Sequence, residues 1–140
     1  MKKIVFVTVA IATLSGCATQ AVLPNQAKLA PKERVFKYQS PQVNSAQLIV
    51  VRDNGFLGGG CYFGVYVDGE RSASLNPGER VNFYLPAGEH NIAMKGEGKV
   101  CIADEVPVGR DINLKQSQTK AVRLFSDPSG NLDVKPLPLN

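Results

Sequence analysis

Cys61-Tyr62-Phe63-Gly64-Val65-Tyr66-Val67-Asp68-Gly69 is the stretch that decides the fold. Side chains alternate between the two faces of a strand, so Phe63, Val65 and Val67 share one side and the tyrosines share the other. The Asp-Gly pair that follows is the pair preferred in a two-residue type I′ hairpin turn. The stretch therefore predicts a β-hairpin with one buried face.

The same pattern continues on both sides of this hairpin. Short runs of β-branched and aromatic residues recur from Ala46 onward, separated by turns rich in Gly and Pro, and no apolar stripe of helical period appears. We therefore expect an all-β fold, a small antiparallel β-sandwich of about seven to eight strands. The candidate strands are Gln47–Arg52, Cys61–Val67, Arg71–Leu75, Arg80–Leu85, His90–Lys95, Val100–Val106, Ala121–Phe125 and Leu132–Lys135.

The first residues form a targeting signal rather than a part of the domain. Two lysines precede an apolar run from Ile4 to Leu14, which is too short to span about 30 Å of hydrocarbon as a helix. Leu14-Ser15-Gly16-Cys17 resembles the lipobox of bacterial lipoproteins, which implies cleavage of residues 1–16 and attachment of acyl chains, palmitate among them, at Cys17. The alternative is an ordinary secretory signal peptide cleaved after Ala18 or Ala21.

The resemblance also predicts a location. Ala18 is small and is not Asp, which resembles the default signal for sorting to the outer membrane in a Gram-negative cell. We expect a lipid-anchored protein of the outer membrane that faces the periplasm or the cell surface.

Residues 17–44 are predicted to form the lipidated cysteine and a flexible tether, with the β-sandwich domain at residues 45–140. This segment holds Pro24, Pro31 and Pro41 among many polar residues and shows little apolar periodicity. The run Arg34–Tyr38 is either an edge strand or part of the linker, so an earlier boundary near residue 33 stays open.

Charge excludes one class of function. The chain has a net charge of +4, but two of its basic residues, Lys2 and Lys3, lie in the signal segment, and no Lys/Arg-rich run remains after them. A nucleic-acid partner is therefore not expected.

Two cysteines remain once Cys17 carries lipid. In an exported protein, Cys61 and Cys101 favour a disulfide, which would close a loop of roughly 40 residues and stabilise the fold by about 4 kcal/mol. A thiol catalyst or a metal pair is the alternative, but the chain has no CxxC spacing and a single histidine.

Three tyrosines stand out as a candidate binding patch. Alternation places Tyr62 and Tyr66 opposite the core side of their strand, and Tyr84 opposite Phe83 and Leu85 on another. An aromatic patch on an exposed sheet is typical of a binding surface, whereas a covering segment or cross-strand packing would make the same residues structural.

A longer pattern resembles a known family. Val65-Tyr66-Val67-Asp68-Gly69, Leu75-Asn76-Pro77-Gly78 and Leu85-Pro86-Ala87-Gly88-Glu89-His90-Asn91-Ile92 follow the layout of PEGA-like surface domains, and of small envelope lipoproteins with a domain of unknown function. The resemblance covers about residues 46–95. It implies a compact β-sandwich in the cell envelope and supplies no activity.

Catalysis has little support in the sequence. His90 is the only histidine and follows a turn, no nucleophile motif is present, and neither a metal site nor a cofactor is expected. We therefore expect no enzyme but a structural or interaction module that binds an envelope protein or peptidoglycan. The alternative is an inhibitor or exclusion factor, acting on a lysozyme or a phage receptor through the Gly-rich loop at residues 54–60.

Overall fold

The fold is a sandwich of two β-sheets. The structure is a computed structural model that describes residues 19–55, 60–98 and 106–140. Within these ranges a short 3-10 turn at Lys32–Arg34 accompanies nine strands. They are β1 (Lys28–Leu29), β2 (Ala46–Arg52), β3 (Tyr62–Val67), β4 (Glu70–Leu75), β5 (Glu79–Leu85), β6 (Gly88–Glu97), β7 (Val108–Leu114), β8 (Thr119–Ser126) and β9 (Leu132–Leu137).

One sheet has five strands in the order β1-β5-β2-β8-β9, and the other has four in the order β4-β3-β6-β7. Neighbouring strands are antiparallel except for two pairs, β1 with β5 and β2 with β8, which are parallel. The all-β sandwich predicted from the sequence is confirmed, with parallel pairing as an addition that the pattern of short strands does not predict.

The core lies between the two sheets. Phe63, Val65 and Val67 of β3 face Val81 and Phe83 of β5, and all five are at most 5% exposed. These are the side chains that alternation assigned to the interior. β3 and β5 therefore each turn one face to the core, as expected for a two-layer fold.

The β3–β4 hairpin has the predicted turn. Val67 pairs with Glu70, which leaves Asp68 and Gly69 as a two-residue loop with φ of 51° and 82°. Two consecutive positive φ angles define a type I′ turn, which Asp tolerates and Gly adopts without strain.

Of the strand expected at Val100–Val106, only Val106 lies among the described residues. Residues 99–105 lie outside them, and Val106 is a 73% exposed bend. The next strand is β7, antiparallel to β6 at one edge of its sheet. Its sequence, Val-Gly-Arg-Asp-Ile-Asn-Leu, has weak alternation because most of this edge strand contacts water.

The predicted flexible tether is corrected for residues 19–44. Val22, Leu23 and Ala27 pack on the outer face of the five-stranded sheet, against Val51 and Leu137. Scattered apolar residues without a period do not identify a segment that packs irregularly, so composition alone indicates a linker. The sandwich therefore includes this segment, and its boundary lies well before residue 45.

Residues 28–39, which we call the strap, close one side of the sandwich. The strap first bonds to β5, where the Ala30 N–H donates to the Arg80 carbonyl, then to β4, where the Phe36 N–H donates to the Ser72 carbonyl. It returns to β5 at Tyr38, whose carbonyl accepts from the Tyr84 N–H. The strap therefore joins the edges of both sheets.

Candidate functional site

The three tyrosines do not form one patch. Tyr62 and Tyr66 lie on the outer face of the four-stranded sheet, opposite the core residues of β3. Tyr84 belongs to the five-stranded sheet and alternates with the buried Phe83 and Leu85, so it faces the opposite side of the sandwich. There it lines a hollow of about 360 Å³ between residues 42–45 and the turn at residues 86–87. The candidate patch is therefore corrected to the two tyrosines of β3.

Around these two tyrosines the fold assembles a face that combines aromatic rings with cationic side chains. The Arg34 guanidinium lies 5.1 Å from the Tyr62 ring centroid, and the Lys95 ammonium lies 5.9 Å from that of Tyr66. We call this surface the aromatic–cation face. Its members are Arg34, Phe36, Tyr62, Tyr66, Arg71, Lys95 and Glu97.

The strap contributes one ring to this face. Phe36 packs on the Arg71 guanidinium, 4.6 Å from carbon to ring centroid, and is 45% exposed. Tyr62 is 42% exposed. Two large aromatic rings thus remain exposed to solvent on this face, which is typical of a binding surface.

Glu97 holds the centre of the face. Its carboxylate accepts from Nε of Arg71 at 2.7 Å and from Nη2 at 2.8 Å, and also from the Ser74 hydroxyl at 2.8 Å. Burial disfavours the charged form, but these bonds and the Arg71 charge outweigh it and hold the pKa of Glu97 below its usual value. The Glu97 carboxylate is therefore a fixed anion that orients Arg71.

The edge of the face is fixed by a second ion pair. Arg34 donates to both carboxylate oxygens of Glu79, at 2.7 and 2.8 Å, and to the Ser74 carbonyl at 2.9 Å. The Glu79 side chain is 9% exposed, and it also accepts from the Asn76 N–H at 2.7 Å. Burial opposes ionisation of Glu79, yet the Arg34 and Asn76 bonds keep its pKa lowered. This pair holds the strap, and with it Phe36, in place.

The composition of the face suits recognition of another protein. Tyr, Phe and Arg are enriched in the cores of protein interfaces and dominate their binding energy. Both guanidiniums are already oriented by buried or half-buried carboxylates, so a partner would order few side chains when it binds.

His90 is hydrogen-bonded to an aspartate, as catalytic histidines often are, but both nitrogens of its ring are engaged. Nδ1 lies 2.7 Å from Oδ2 of Asp68, and Nε2 lies 2.8 Å from the Pro86 carbonyl oxygen. Burial lowers the pKa of His90, but the bonds to Asp68 and Pro86 and the Asp68 charge outweigh it and raise that pKa above its usual value. The imidazole therefore ties the Asp68-Gly69 turn to the Pro86 turn.

Two further polar groups were not identified from the sequence. Arg52 is 2% exposed, donates to the carbonyls of Cys61 and Leu75 at 2.6 and 2.7 Å, and lies over the Phe63 ring. Burial lowers its pKa to about 10. Asp53, also 2% exposed, accepts from Arg123 Nε at 2.9 Å. Strand periodicity gives no sign that adjacent charged residues are both buried.

The remaining predicted residues lie partly outside the described ranges. Cys61 is half-buried just before β3, whereas Cys101 and Cys17 are outside. The Cys61–Cys101 disulfide therefore stays a prediction, as does Cys17 as the residue that carries the lipid. Among described residues, no group of three or more His, Cys, Asp or Glu is placed to hold a metal ion. No helix in that part of the chain is long and apolar enough to cross a membrane.

Comparison with known proteins identifies the start of the chain. Residues 1–18 match the family model of the prokaryotic membrane lipoprotein lipid attachment site. The protein is a lipid-anchored membrane lipoprotein. The match contains one cysteine, Cys17, and ends before the sandwich. No curated protein and no solved structure matches this lipoprotein, so the resemblance to PEGA-like domains has no support from these comparisons.

Proposed function

We propose that this lipoprotein is a non-catalytic interaction module of the cell envelope, anchored through Cys17, that binds a partner protein with the aromatic–cation face. One observation carries the proposal. Phe36 and Tyr62 stand 45% and 42% exposed on neighbouring elements, each against a guanidinium that a carboxylate already orients.

The energetic argument favours a surface kept for binding. The exposed part of each aromatic ring gains no burial energy in the free protein, whereas its burial against a partner removes apolar area worth about 25 cal/mol per Å² from water. The ion pairs beneath the rings fix their supports, which reduces the entropy lost on binding. A protein partner is favoured over peptidoglycan because Tyr, Phe and Arg together are the typical hot-spot set.

Two further statements belong to this proposal. The lipoprotein is proposed to lie in the outer membrane, a proposal supported by Ala18 after the lipobox cysteine. It is proposed not to be an enzyme, a proposal supported by the engagement of both nitrogens of its one histidine. The purified protein can be assayed for hydrolase activities beside a His90→Gln variant. Turnover by the unchanged protein that the variant loses would contradict the second statement.

The test is photo-crosslinking in living cells with the complete lipoprotein. A photoreactive amino acid replaces Tyr62 in one variant and Tyr84, on the opposite sheet, in the matched control. We expect mass spectrometry to find one dominant envelope protein captured at residue 62 and not at residue 84. Equal capture at both positions, or capture of peptidoglycan fragments alone, would overturn the proposed protein partner.

The inhibitor or exclusion function is kept as an outcome of the same experiment. A third photoreactive probe at Asn54 samples the Gly-rich loop, of which residues 56–59 lie outside the described ranges. Capture of an added lysozyme at residue 54, with none at residue 62, would replace the interaction module by the inhibitor.

A further inference from the structure

We infer that the sandwich sits directly on the membrane that holds its lipid, with one defined end against the lipid headgroups. The inference takes Cys17, the cysteine inside the lipoprotein match, as the attachment point. It concerns orientation and does not depend on what the aromatic–cation face binds.

The observation behind it is that Thr19, the first residue that the structure describes, is already held by the sandwich. This residue is 9% exposed, its N–H donates to the Ser126 carbonyl, and its hydroxyl donates to Oδ2 of Asp53 at 2.8 Å. The hydroxyl also accepts from the Ser126 N–H at 3.1 Å. Gln20 and Asn54 then exchange two backbone hydrogen bonds of 2.7 and 2.9 Å. Thr19 is thus held by Ser126, the last residue of β8, and by Asp53, which directly follows β2.

Covalent geometry limits the distance between Cys17 and Thr19. Two residue steps separate Cys17 from Thr19, and a fully extended chain covers at most about 7 Å in two steps. The headgroup region of one leaflet is about 5–7 Å thick. The connection from Cys17 to Thr19 is therefore about as long as the headgroup layer is thick. It is much shorter than the sandwich, whose seven-residue strands are about 23 Å long.

The strand directions identify the end that faces the lipid. β2 and β8 run parallel and finish beside Thr19, so the β8–β9 turn at residues 127–131 and the β4–β5 turn at residues 76–78 lie at the same end. We call this the proximal end. The turns at residues 68–69 and 86–87 lie at the other, distal end.

The proximal end therefore contacts the lipid headgroups of the membrane that holds the protein's own lipid. This orientation also places Asn54 next to the membrane, because Asn54 bonds to Gln20. The aromatic–cation face then stands beside the membrane, within about the height of one sandwich of the lipid.

The test uses the lipidated protein in vesicles of phosphatidylethanolamine and phosphatidylglycerol whose headgroups carry an energy acceptor. A fluorescent amino acid donor replaces Ser129 at the proximal end or Ala87 at the distal end, both exposed. We expect transfer from residue 129 to be about twofold or more higher than from residue 87, because about 23 Å separates the two ends.

A linker variant supplies the control. A flexible Gly/Ser insert of about ten residues between Ala18 and Thr19 adds a reach of roughly 17 Å and should bring both transfer efficiencies close together. Equal transfer from both positions in the protein without the insert would overturn the inference, as would stronger transfer from residue 87. Neither result depends on a partner, so the proposed function is tested separately.

Discussion

Gly64 lies directly beneath the Glu97 carboxylate, and a Cβ at residue 64 would overlap with Oε1 and Cδ of that side chain. The glycine is on β3 and the glutamate reaches across it from β6 to Arg71 and Ser74 on β4. The central ion pair of the aromatic–cation face therefore depends on a missing side chain. This relationship gives the first prediction.

Gly64→Ala should displace Glu97 and lower the free energy of unfolding by about 1 kcal/mol, since a half-buried charged hydrogen-bond network is broken. Denaturant titration measures the change. In a Glu97→Ala background the same substitution should stabilise, because Ala then replaces a strand glycine without a clash. An equal loss in both backgrounds would contradict the role of Gly64 as space for Glu97.

Gly109→Ala should cost more than Gly64→Ala. A Cβ at residue 109 would lie 2.6 Å from the Ala93 Cβ and 2.7 Å from the Ile92 carbonyl oxygen, and backbone cannot move aside as a glutamate can. We expect a loss of about 2–3 kcal/mol in the free energy of unfolding. Chemical denaturation of the two variants side by side gives the comparison, and a smaller loss at residue 109 would show that β6 and β7 shift easily.

Arg34→Met should loosen the strap. Glu79, 9% exposed, would lose its bidentate partner, and we expect a loss of about 2 kcal/mol together with faster amide exchange at residues 30–38. Arg34→Lys should not restore stability, because an ammonium cannot make both bonds in the same plane.

The control for the strap is Lys37→Met. Lys37 pairs with Glu70 on the surface, where both side chains are more than 40% exposed, so its loss should leave Tm unchanged. If the Lys37 and Arg34 variants behaved alike, the buried pair would not be what holds the strap.

Stability should fall with rising pH near neutrality because of His90. Its pKa is raised in the folded state, so its contribution is complete below the unfolded value of 6.5 and is lost as the pH rises through the folded pKa. Tm measured across this range should therefore decline, and His90→Gln should abolish that decline, since the chain has no other histidine. Asp68→Asn should weaken the decline by removing the charged partner.

Thr19→Val should destabilise the start of the fold. The substitution keeps the shape but removes the hydroxyl that bonds to Asp53 and Ser126 in a buried site, which costs about 1–3 kcal/mol. Thr119→Val, at an exposed position, is the matched control and should leave the unfolding midpoint unchanged. Similar losses for both would show that the Thr19 hydroxyl does not secure this segment to the sandwich.

Most of the fold could be predicted because it depends on local pattern. Alternation identified the core residues of β3 and β5, and Asp68-Gly69 identified the turn, since both effects act between neighbours in the chain. The strand β7 was not predicted because an edge strand exposed to water shows little alternation of apolar and polar residues.

The candidate site was predicted only in part. Tyr62 and Tyr66 follow from alternation within one strand, but whether Tyr84 joins them depends on which sheet contains β5. Arg34 and Phe36 belong to a run that the sequence leaves open between an edge strand and the linker, since nothing local shows that the strap bonds to β4 and β5.

The sequence by itself determined the address, the β class, the hairpin and the alternating core, because each depends on residues close together in the chain. Only the tertiary structure decided that residues 19–44 belong to the sandwich, that Arg71, Gly64 and Glu97 meet on one face, and that Thr19 is held two residues after Cys17. These features arise from contacts between distant segments, whose pairing follows from how the two sheets bury their shared core.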